Sequence, residues 1–361
     1  MNAHIINCDE QEFFNLFLRG GYLGVGIMTR RSTSGQLSNA CRTSYSMYAD
    51  MKTIRAGDII FVHAGRKIYG PFMAKTEFLE DSKAPQMFLS RNIHYHPDPQ
   101  RPRSGWKNAK RIPNVGYYRR MAITHFTGRS GRNLCFENGF DSNEVFELKL
   151  KKRIWSIPER WKYTDAARTV RPLMENEASE LIKILERENA DNQNRRTVNP
   201  ANLTGYIPIE FILNPNVVVH EKIIEGWILE NIGRNKAIDG ALGEFTSFGN
   251  NMPVGYLQFI DIFGYQELSS GNRKYKVIEI KKGDCVFPND IKQLLGYSDW
   301  VVENIGSGDY KAVDGLIVAK DFNSDCVTFA KNLNKMGRKI RLIKFDYDPP
   351  NYNSLKIKRL V

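Results

Sequence analysis

The chain has 361 residues, of which 42% are hydrophobic and 25% charged, a composition typical of a globular protein with two domains. Its formal net charge of +12 favours a polyanionic partner, and the 11% of aromatic residues favours nucleic acid over a membrane surface. No apolar run approaches the length of a transmembrane helix, and the first residues lack the pattern of a signal peptide. Five scattered cysteines without Cys-x-x-Cys spacing indicate reduced thiols in a cytoplasmic protein, rather than disulfides or a zinc site.

Residues 1–172 are predicted to form a mostly β domain. Short β-rich runs, the last two joined by a Gly-Arg turn, cover residues 22–28, 59–64 and 67–74. Residues 144–150 alternate apolar and charged side chains, which is the period of a half-buried strand. Several short strands with turns between them predict a small barrel with flanking helices.

A helix and a polar linker are predicted over residues 173–205. Residues 174–188 carry apolar side chains at helical spacing among charged ones. Residues 189–200 are polar, with Val198 as the only large apolar residue. This composition places the domain boundary near residue 200.

Residues 206–361 are predicted to form a second domain in which strands alternate with helices. The domain begins with residues 207–219, followed by a helix over 220–231. Strands are expected around Asp261 and Glu279 and over 315–319 and 340–345, with helices over 289–303 and between the last two strands. This order predicts a mixed sheet with helices on its faces. The fold class of the whole chain is therefore expected to be α+β or mixed α/β.

Three short motifs in the second domain predict a site for a hard metal ion. Glu279 and Lys281 lie two residues apart on one strand and so share a face, and Asp261 on a neighbouring strand would reach the same place. The two carboxylates and the carbonyl of Ile280 suit Mg²⁺, with Mn²⁺ as an expected substitute. Lys281 would orient or deprotonate a water molecule and stabilise developing charge. Phosphodiester hydrolysis is the chemistry that such a site typically performs.

A Glu-x-Lys pattern alone is most often a solvated strand face, which is the alternative to a metal site. The strand around Glu279 is strongly apolar, and an equally apolar run precedes Asp261. Gln293 and Tyr297 then lie four residues apart on one face of a predicted helix. Together these features favour a site over a solvated face.

The motifs, in this order, resemble the PD-(D/E)xK nuclease superfamily in its RecB-like branch. Residues 220–320 are similar to the C-terminal nuclease domain of the NucS family of DNA endonucleases. The matching segments are Glu221 on the helix, residues 260–262, residues 278–281 and residues 293–301. The resemblance implies a restriction-endonuclease-like sheet in which Glu221 assists the metal site, with Glu225 on the same helix face as a rival. It also implies that Gln293 and Tyr297 position the water or the scissile phosphate; residues 233–254 depart from the family.

The first domain resembles the PUA-like fold group, which includes the EVE and YTH readers of modified bases. The segments that carry this resemblance are residues 24–27, 50–51, 56–61, 67–70 and 154–161. It implies an aromatic pocket for an extruded base, with Tyr22, Trp106 and Trp155 as walls and Ser44 or Asp50 reading the base edge. Packing in the core or a loop is the alternative for each of these residues.

A basic segment lies between the strands of the first domain. Residues 99–136 contain no Asp or Glu, and their basic residues are Arg101, Arg103, Lys107, Lys110, Arg111, Arg119, Arg120, Arg129 and Arg132. Interleaved aromatic residues such as Trp106 would stack on bases while the basic groups contact phosphates. A solvated loop is the alternative.

The sequence thus predicts a two-domain, Mg²⁺-dependent DNA endonuclease, of the kind used in modification-dependent restriction or defence. Its expected partner is DNA, with or without a modified base, and a homodimer would let one site per chain cut both strands. One alternative is a mismatch- or structure-directed repair endonuclease. The other is a non-catalytic nucleic-acid-binding protein with a nuclease-like fold.

Overall fold

The computed structural model describes two compact units. Its described residues are 2–8, 11–25, 39–81, 119–151, 153–157, 170–191, 194–209, 221–255, 258–347 and 354–361. The first unit comprises Met1–Trp155 with Glu159–Ile209, and the second comprises Ser156–Pro158 with Glu210–Val361. Both units mix helices with strands, so the fold is mixed α/β.

The strands of the first unit form one nine-stranded sheet. The elements are β1 (Ala3–Asn7), α1 (Gln11–Gly20), β2 (Tyr22–Val25), α2 (Asn39–Lys52), β3 (Ile59–Ala64), β4 (Lys67–Ala74), β5 (Leu79–Asp81), β6 (Arg119–His125), β7 (Phe136–Asp141), α3 (Asn143–Leu150), β8 (Val170–Leu173), α4 (Glu175–Glu188) and β9 (Tyr206–Pro208). The main path runs β8-β1-β3-β4-β6-β5-β9, with β2 on β6 and β7 on β4. In the described residues this path does not close into a ring, and the small PUA-like barrel stays a prediction.

The β3–β4 hairpin follows from its turn. Gly65 and Arg66 both have positive φ, 53° and 66°, which is the backbone of a tight hairpin turn matched to strand twist. Ile60 and Phe72, which pair across the two strands, are fully buried. The predicted strands over 59–64 and 67–74 are therefore confirmed.

The predicted strand over residues 144–150 is wrong, because α3 lies there. Val145 and Leu148 are the buried positions, and their spacing of three residues is that of a helix face. Phe146 is 49% exposed, although an alternating strand would bury it with Leu148. The segment buries only two residues, and their spacing fits a helix, so the apparent strand-like alternation of its sequence was misleading.

The segment predicted as a helix and linker lies inside the first unit. The helix is present as α4, and its Glu177 carboxylate accepts hydrogen bonds from the backbone N–H groups of Trp155 and Met174, both at 2.7 Å. Beyond the helix, Arg196 N–H donates to the Cys135 carbonyl at 2.8 Å, and Ala201 N–H to that of Gly21 at 2.9 Å. These backbone hydrogen bonds tie the polar segment to the sheet, which composition could not reveal.

The second unit contains a six-stranded mixed sheet. Its elements are α5 (Glu221–Asn231), α6 (Lys236–Leu242), β10 (Ser247–Gly255), β11 (Gln258–Glu267), β12 (Arg273–Ile280), α7 (Asn289–Asn304), a short 3₁₀ helix (Tyr310–Ala312), β13 (Val313–Ala319), α8 (Ser324–Lys335), β14 (Lys339–Asp346) and β15 (Lys356–Arg359). The strands are ordered β10 to β15 in sequence, with β12, β13 and β14 parallel. The predicted helix–strand alternation from Asp261 onward is confirmed.

The β11–β12 register brings the two motif carboxylates together. The strands are antiparallel and Ile262 pairs with Ile278, so Asp261 and Glu279 are opposite each other one step further along. Helix α7 connects β12 to the parallel strand β13 and packs on it. In the part of the chain that the structure describes, no helix is long and apolar enough to cross a bilayer.

Candidate active site

Asp261 and Glu279 form the centre of the candidate site. The backbone N–H of Ile280 donates to Asp261 Oδ2 at 2.9 Å, which holds the Asp261 carboxylate against the end of β12. The Glu279 side chain is 5% exposed and the Asp261 side chain 19%. Glu279 therefore lies on a buried position of the strand rather than on a solvated face.

Glu279 has an unusual electrostatic environment. Burial, and then the charge of Asp261, raise the pKa of Glu279 to about 8, although Lys281 opposes the shift. Its Oε2 atom is buried and has no hydrogen-bond partner among the described residues. A buried carboxylate oxygen without a donor is uncommon and leaves a position that a cation can fill.

Lys281, Gln293 and Tyr297 form a hydrogen-bonded chain beside the carboxylates. Lys281 Nζ donates to Glu279 Oε1 at 2.8 Å and to Gln293 Oε1 at 3.0 Å. Gln293 Nε2 in turn donates to the Tyr297 hydroxyl at 2.9 Å. Burial lowers the pKa of Lys281, but the hydrogen bond and charge of Glu279 outweigh it, so the pKa is raised and the ammonium stays charged.

Helix α5 supplies two glutamates in different environments. Glu221 Oε1 accepts the backbone N–H of Lys282 at 3.2 Å, and the charge of Glu221 contributes to the raised pKa of Glu279. Glu225 is fully buried, and burial raises its pKa to about 7. Glu221 therefore lies at the end of β12 next to Glu279, whereas Glu225 lies on the Asp261 side. A catalytic role for Glu221 or for Glu225 stays a prediction.

Three residues that the sequence did not single out complete this side of the site. Lys222 Nζ donates to Glu225 Oε2, to Asn251 Oδ1 at 2.8 Å and to Asp261 Oδ1 at 3.3 Å. Asn250 Nδ2 donates to Glu225 Oε1 at 2.7 Å. One signal was present in the sequence: two consecutive asparagines inside an apolar strand are unusual, since Asn is depleted in strands.

The donors at the centre of the site fit a hard divalent cation. The sequence predicts Asp261, Glu279 and the carbonyl of Ile280 as ligands, and the unpartnered Glu279 oxygen agrees with that chemistry. Across the described ranges, no three His, Cys, Asp or Glu side chains are grouped so as to hold a metal ion on their own. Mg²⁺ does not need such a group, because it keeps several waters and takes one or two carboxylates.

In the first unit, Arg119 does not fit its predicted role in DNA binding. It is 1% exposed, and its guanidinium donates to Glu80 Oε1 at 2.8 Å and to the Tyr48 hydroxyl. The Arg119 guanidinium is buried and engaged by these two groups, although the Glu80 side chain is 23% exposed, so the position of Arg119 does not support contact with a phosphate. Arg120 lies partly exposed over the Tyr22 ring, with 4.3 Å between its guanidinium carbon and the ring centroid.

Most of the other predicted contacts of the basic segment lie outside the described residues. These are Arg101, Arg103, Trp106, Lys107, Lys110 and Arg111. Arg129 and Arg132 are described and are exposed. Phosphate contact by this segment stays a prediction.

The base-pocket candidates that the structure describes are buried or in contact with other side chains of the protein. The Tyr22 ring contacts the Arg120 guanidinium and the Phe17 ring, and the centroids of the two rings are 5.5 Å apart. Asp50 is fully buried, and Trp155 is partly buried. The side chain of Ser44 and all of Trp106 are outside the described residues. The predicted pocket therefore stays a prediction.

Comparisons with known proteins give partial similarity only. No family model matches the chain, and no curated protein matches it significantly. A repair endonuclease from Pyrococcus abyssi is 20% identical over 36% of this chain and 49% of that chain, with a TM-score of 0.25. A structure described as an EndoMS–dsDNA2 complex is 17% identical over 38% of this chain and 50% of that chain, also with a TM-score of 0.25. The similar part spans about half the length of each of these chains.

Proposed function

We propose that this protein is a divalent-metal-dependent DNA endonuclease. The observation that carries the proposal is the buried Glu279 carboxylate opposite Asp261, with one oxygen unpartnered and the other held by Lys281. Two acids and a lysine in this arrangement match the chemistry of phosphodiester hydrolysis. A decayed, non-catalytic site would not be expected to retain this hydrogen-bonded set.

The charge balance of the site supports a cation. The site brings together five carboxylates and two ammonium groups, because Asp290 Oδ1 also lies 3.6 Å from Lys281 Nζ. The carboxylates are those of Glu221, Glu225, Asp261, Glu279 and Asp290, and the ammonium groups are those of Lys222 and Lys281. Adjacent buried carboxylates repel each other unless a cation lies between them. Asp261, Glu279 and the Ile280 carbonyl would hold Mg²⁺, or Mn²⁺ in its place. Such an ion would supply Lewis acidity towards a phosphate oxygen and would lower the pKa of a water molecule.

The chain's own groups would perform the remaining work of hydrolysis. Lys281 holds its proton at Nζ and would donate a hydrogen bond to the oxygen on which negative charge develops. Gln293 fixes the direction of that ammonium from the opposite side, and Tyr297 fixes the amide of Gln293. This order of hydrogen bonds keeps the lysine in place before substrate binds, which limits the reorganisation needed during the reaction.

The finer role that we propose is cleavage directed by the first unit. A PUA-like reader with a modified base in an aromatic pocket would select the site, as in restriction or defence, and the basic segment would bind the DNA backbone. A mismatch-directed repair endonuclease is the competing assignment. Cleavage of both strands by one site per chain would further require a homodimer.

The test uses the full chain with Mg²⁺ and four duplexes: unmodified, cytosine-modified, adenine-modified and mismatched. We expect cleavage of a modified duplex, and its loss in Asp261→Ala and Lys281→Ala while DNA binding persists. Lys331→Met, at an exposed position of α8, is the matched control. Undiminished cleavage by both site variants would refute the catalytic assignment. Preference for the mismatched duplex would replace the restriction role with the repair role.

A further inference from the structure

The ammonium group of Lys222 lies among oxygen atoms from three different elements. They are Glu225 Oε2 on α5, Asn251 Oδ1 on β10, at 2.8 Å, and Asp261 Oδ1 on β11, at 3.3 Å. The Lys222 side chain is 16% exposed and that of Glu225 is fully buried. Two carboxylates and an amide oxygen are the donors of a hard divalent cation site, yet here they surround a side-chain cation.

The side chains that carry these oxygen atoms are held, through their other polar atoms, by hydrogen bonds that do not involve the lysine. Glu225 Oε1 accepts from Asn250 Nδ2 at 2.7 Å and from Asn251 Nδ2 at 3.3 Å. Asp261 Oδ2 accepts from the Ile280 N–H at 2.9 Å. The arrangement of acceptors is therefore built by the fold and is only filled by Lys222.

The backbone at Asn251 also points to a built feature. Its φ is +51°, in the left-handed region that residues other than glycine rarely adopt, although Asn tolerates it better than most. This conformation occurs within β10, at the step between the pairs Asn250–Ile262 and Met252–Ile260. It thus lies opposite Asp261, where it turns the Asn251 amide towards Lys222 and Glu225. Strained backbone of this kind persists where the surrounding structure requires it.

We propose that the Lys222 ammonium occupies the place of a second divalent cation, so that the site takes one divalent ion, at Glu279, instead of two. The inference rests on the proposed function, because it assumes that Asp261 and Glu279 hold the first ion. Asp261 is shared between the two positions: Oδ1 faces Lys222, and the residue lies opposite Glu279 across the strands. In two-metal nucleases the ions lie about 3.5–4 Å apart, and the lysine ammonium would take the place of one of them.

The experiment counts Mn²⁺ ions bound per full-length chain without DNA, by electron paramagnetic resonance of the free ion at high protein concentration. We expect one Mn²⁺ for the wild type, two for Lys222→Met, and one for Lys222→Arg, which keeps the charge. The double variant Lys222→Met/Glu225→Gln loses one carboxylate of the second position and is expected to return to one ion. Lys331→Met again serves as the control and should bind as the wild type does.

Each result decides between the inference and the function on which it rests. A count of one for both the wild type and Lys222→Met, or of two for the wild type, overturns the inference and leaves the endonuclease proposal standing. A wild type without Mn²⁺ beside a Lys222→Met variant with one ion supports the lysine's role and refutes the site at Glu279. If both bind none, both proposals fall.

Folding of the variant provides a second measurement. Lys222→Met leaves a buried Glu225 without its ammonium, so the variant without metal is expected to melt at a lower temperature than the wild type. Because the second ion would replace the lost charge, saturating Mn²⁺ should raise the melting temperature of Lys222→Met more than that of the wild type. A variant that is unfolded without Mn²⁺ and stays unfolded with it would also overturn the inference.

Discussion

Glu279 combines a structural cost with a chemical use. It lies at the end of β12 among fully buried neighbours, and both its burial and the charge of Asp261 favour the protonated acid. A carboxylate in such a place is kept at the expense of stability unless a cation compensates for it. A substitution of Glu279 should therefore reduce activity without a matching loss of stability.

Glu279→Gln is predicted to abolish cleavage without unfolding the protein. The amide resembles the protonated carboxyl group in shape, so the free energy of unfolding in EDTA at pH 7 should stay within about 1 kcal/mol of the wild type. Cleavage should fall by about 10³-fold or more. Mn²⁺ should raise the melting temperature of the wild type and of the exposed control Glu267→Gln, but not that of Glu279→Gln. Equal stabilisation of all three by Mn²⁺ would exclude Glu279 as a ligand.

Lys276, on the same strand, is a buried cation with no part in the candidate site. It is 1% exposed, donates to the Glu244 carbonyl and lies 4.2 Å from the centre of the Phe245 ring. Burial, and then the charge of Arg341, lower the pKa of Lys276 from 10.5 to about 8. Between these two values the unfolded chain binds more protons than the folded one. This residue therefore makes the free energy of unfolding rise with pH over that window.

The pH prediction compares the wild type with Lys276→Met in urea denaturation at several pH values. From pH 8 to 10.5 the wild type should gain stability relative to the variant, by on the order of 3 kcal/mol at most. Other groups that titrate in this range are common to both proteins and cancel in the difference. Parallel pH profiles would show that Lys276 titrates normally in the folded state.

Helix α7 is positioned by the absence of a side chain on the strand beneath it. A Cβ atom at Gly315 on β13 would lie 3.1 Å from Ser298 Oγ and 3.2 Å from Leu294 Cδ2, both on α7. The same helix carries Gln293 and Tyr297 to Lys281. The close approach of helix and strand thus sets the position of the two side chains that hold Lys281.

Gly315→Ala is predicted to move α7 and to impair the site from a distance. Overpacking should cost about 1–3 kcal/mol of stability, and cleavage should fall more than DNA affinity does. Gly296→Ala on the same helix is the matched control, since a Cβ there meets nothing within 4 Å and should stabilise the helix by about 0.5–1 kcal/mol. Urea denaturation and cleavage rates measure both effects. If Gly315→Ala is as stable as the wild type, α7 and β13 can accommodate the added methyl group without strain.

Elements with a clear pattern of apolar residues could be predicted from the sequence. Contacts between residues far apart in the sequence could not. Strands β12 and β13 are apolar runs bounded by turn residues, so their period located them. The candidate site residues on β12 and α7 were found from the order of the short motifs and the spacing of four between Gln293 and Tyr297. The contacts of Lys222 with Asn251 and Asp261 span 29 and 39 residues, respectively, and have no local pattern. Helix α3 was missed because only its packing distinguishes it from a strand.

At the scale of the whole molecule, the net charge of +12 is the property most relevant to a polyanionic partner. Some of the 52 Lys and Arg residues are held by acidic residues of the protein: Arg119 pairs with Glu80, Lys222 with Glu225 and Lys281 with Glu279. Composition therefore overstates how many basic groups face a ligand. The salt dependence of binding measures the number that do.

DNA binding by the cleavage-deficient Asp261→Ala protein is predicted to weaken with salt at a log–log slope of about −4 to −5, if five basic groups meet phosphates. Replacing Arg101, Arg103 and Arg111 together by Gln should reduce the slope by about 3. Arg119→Gln should instead lower stability, because Arg119 is buried with Glu80. Fluorescence anisotropy between 50 and 300 mM salt measures these slopes, and a slope near zero would contradict phosphate binding.

The opposed positions of Asp261 and Glu279 have a consequence for how this chain tolerates changes in length. Both side chains are set by the β11–β12 register, which is closed at its far end by an exposed turn from Leu268 to Asn272. Residues added within that turn leave every pairing above it unchanged. One residue added between Arg273 and Glu279 turns each later side chain to the opposite face and removes the acid from its partner. A peptide tag or fluorophore can therefore enter the hairpin at its tip, while the strands themselves accept no insertion or deletion.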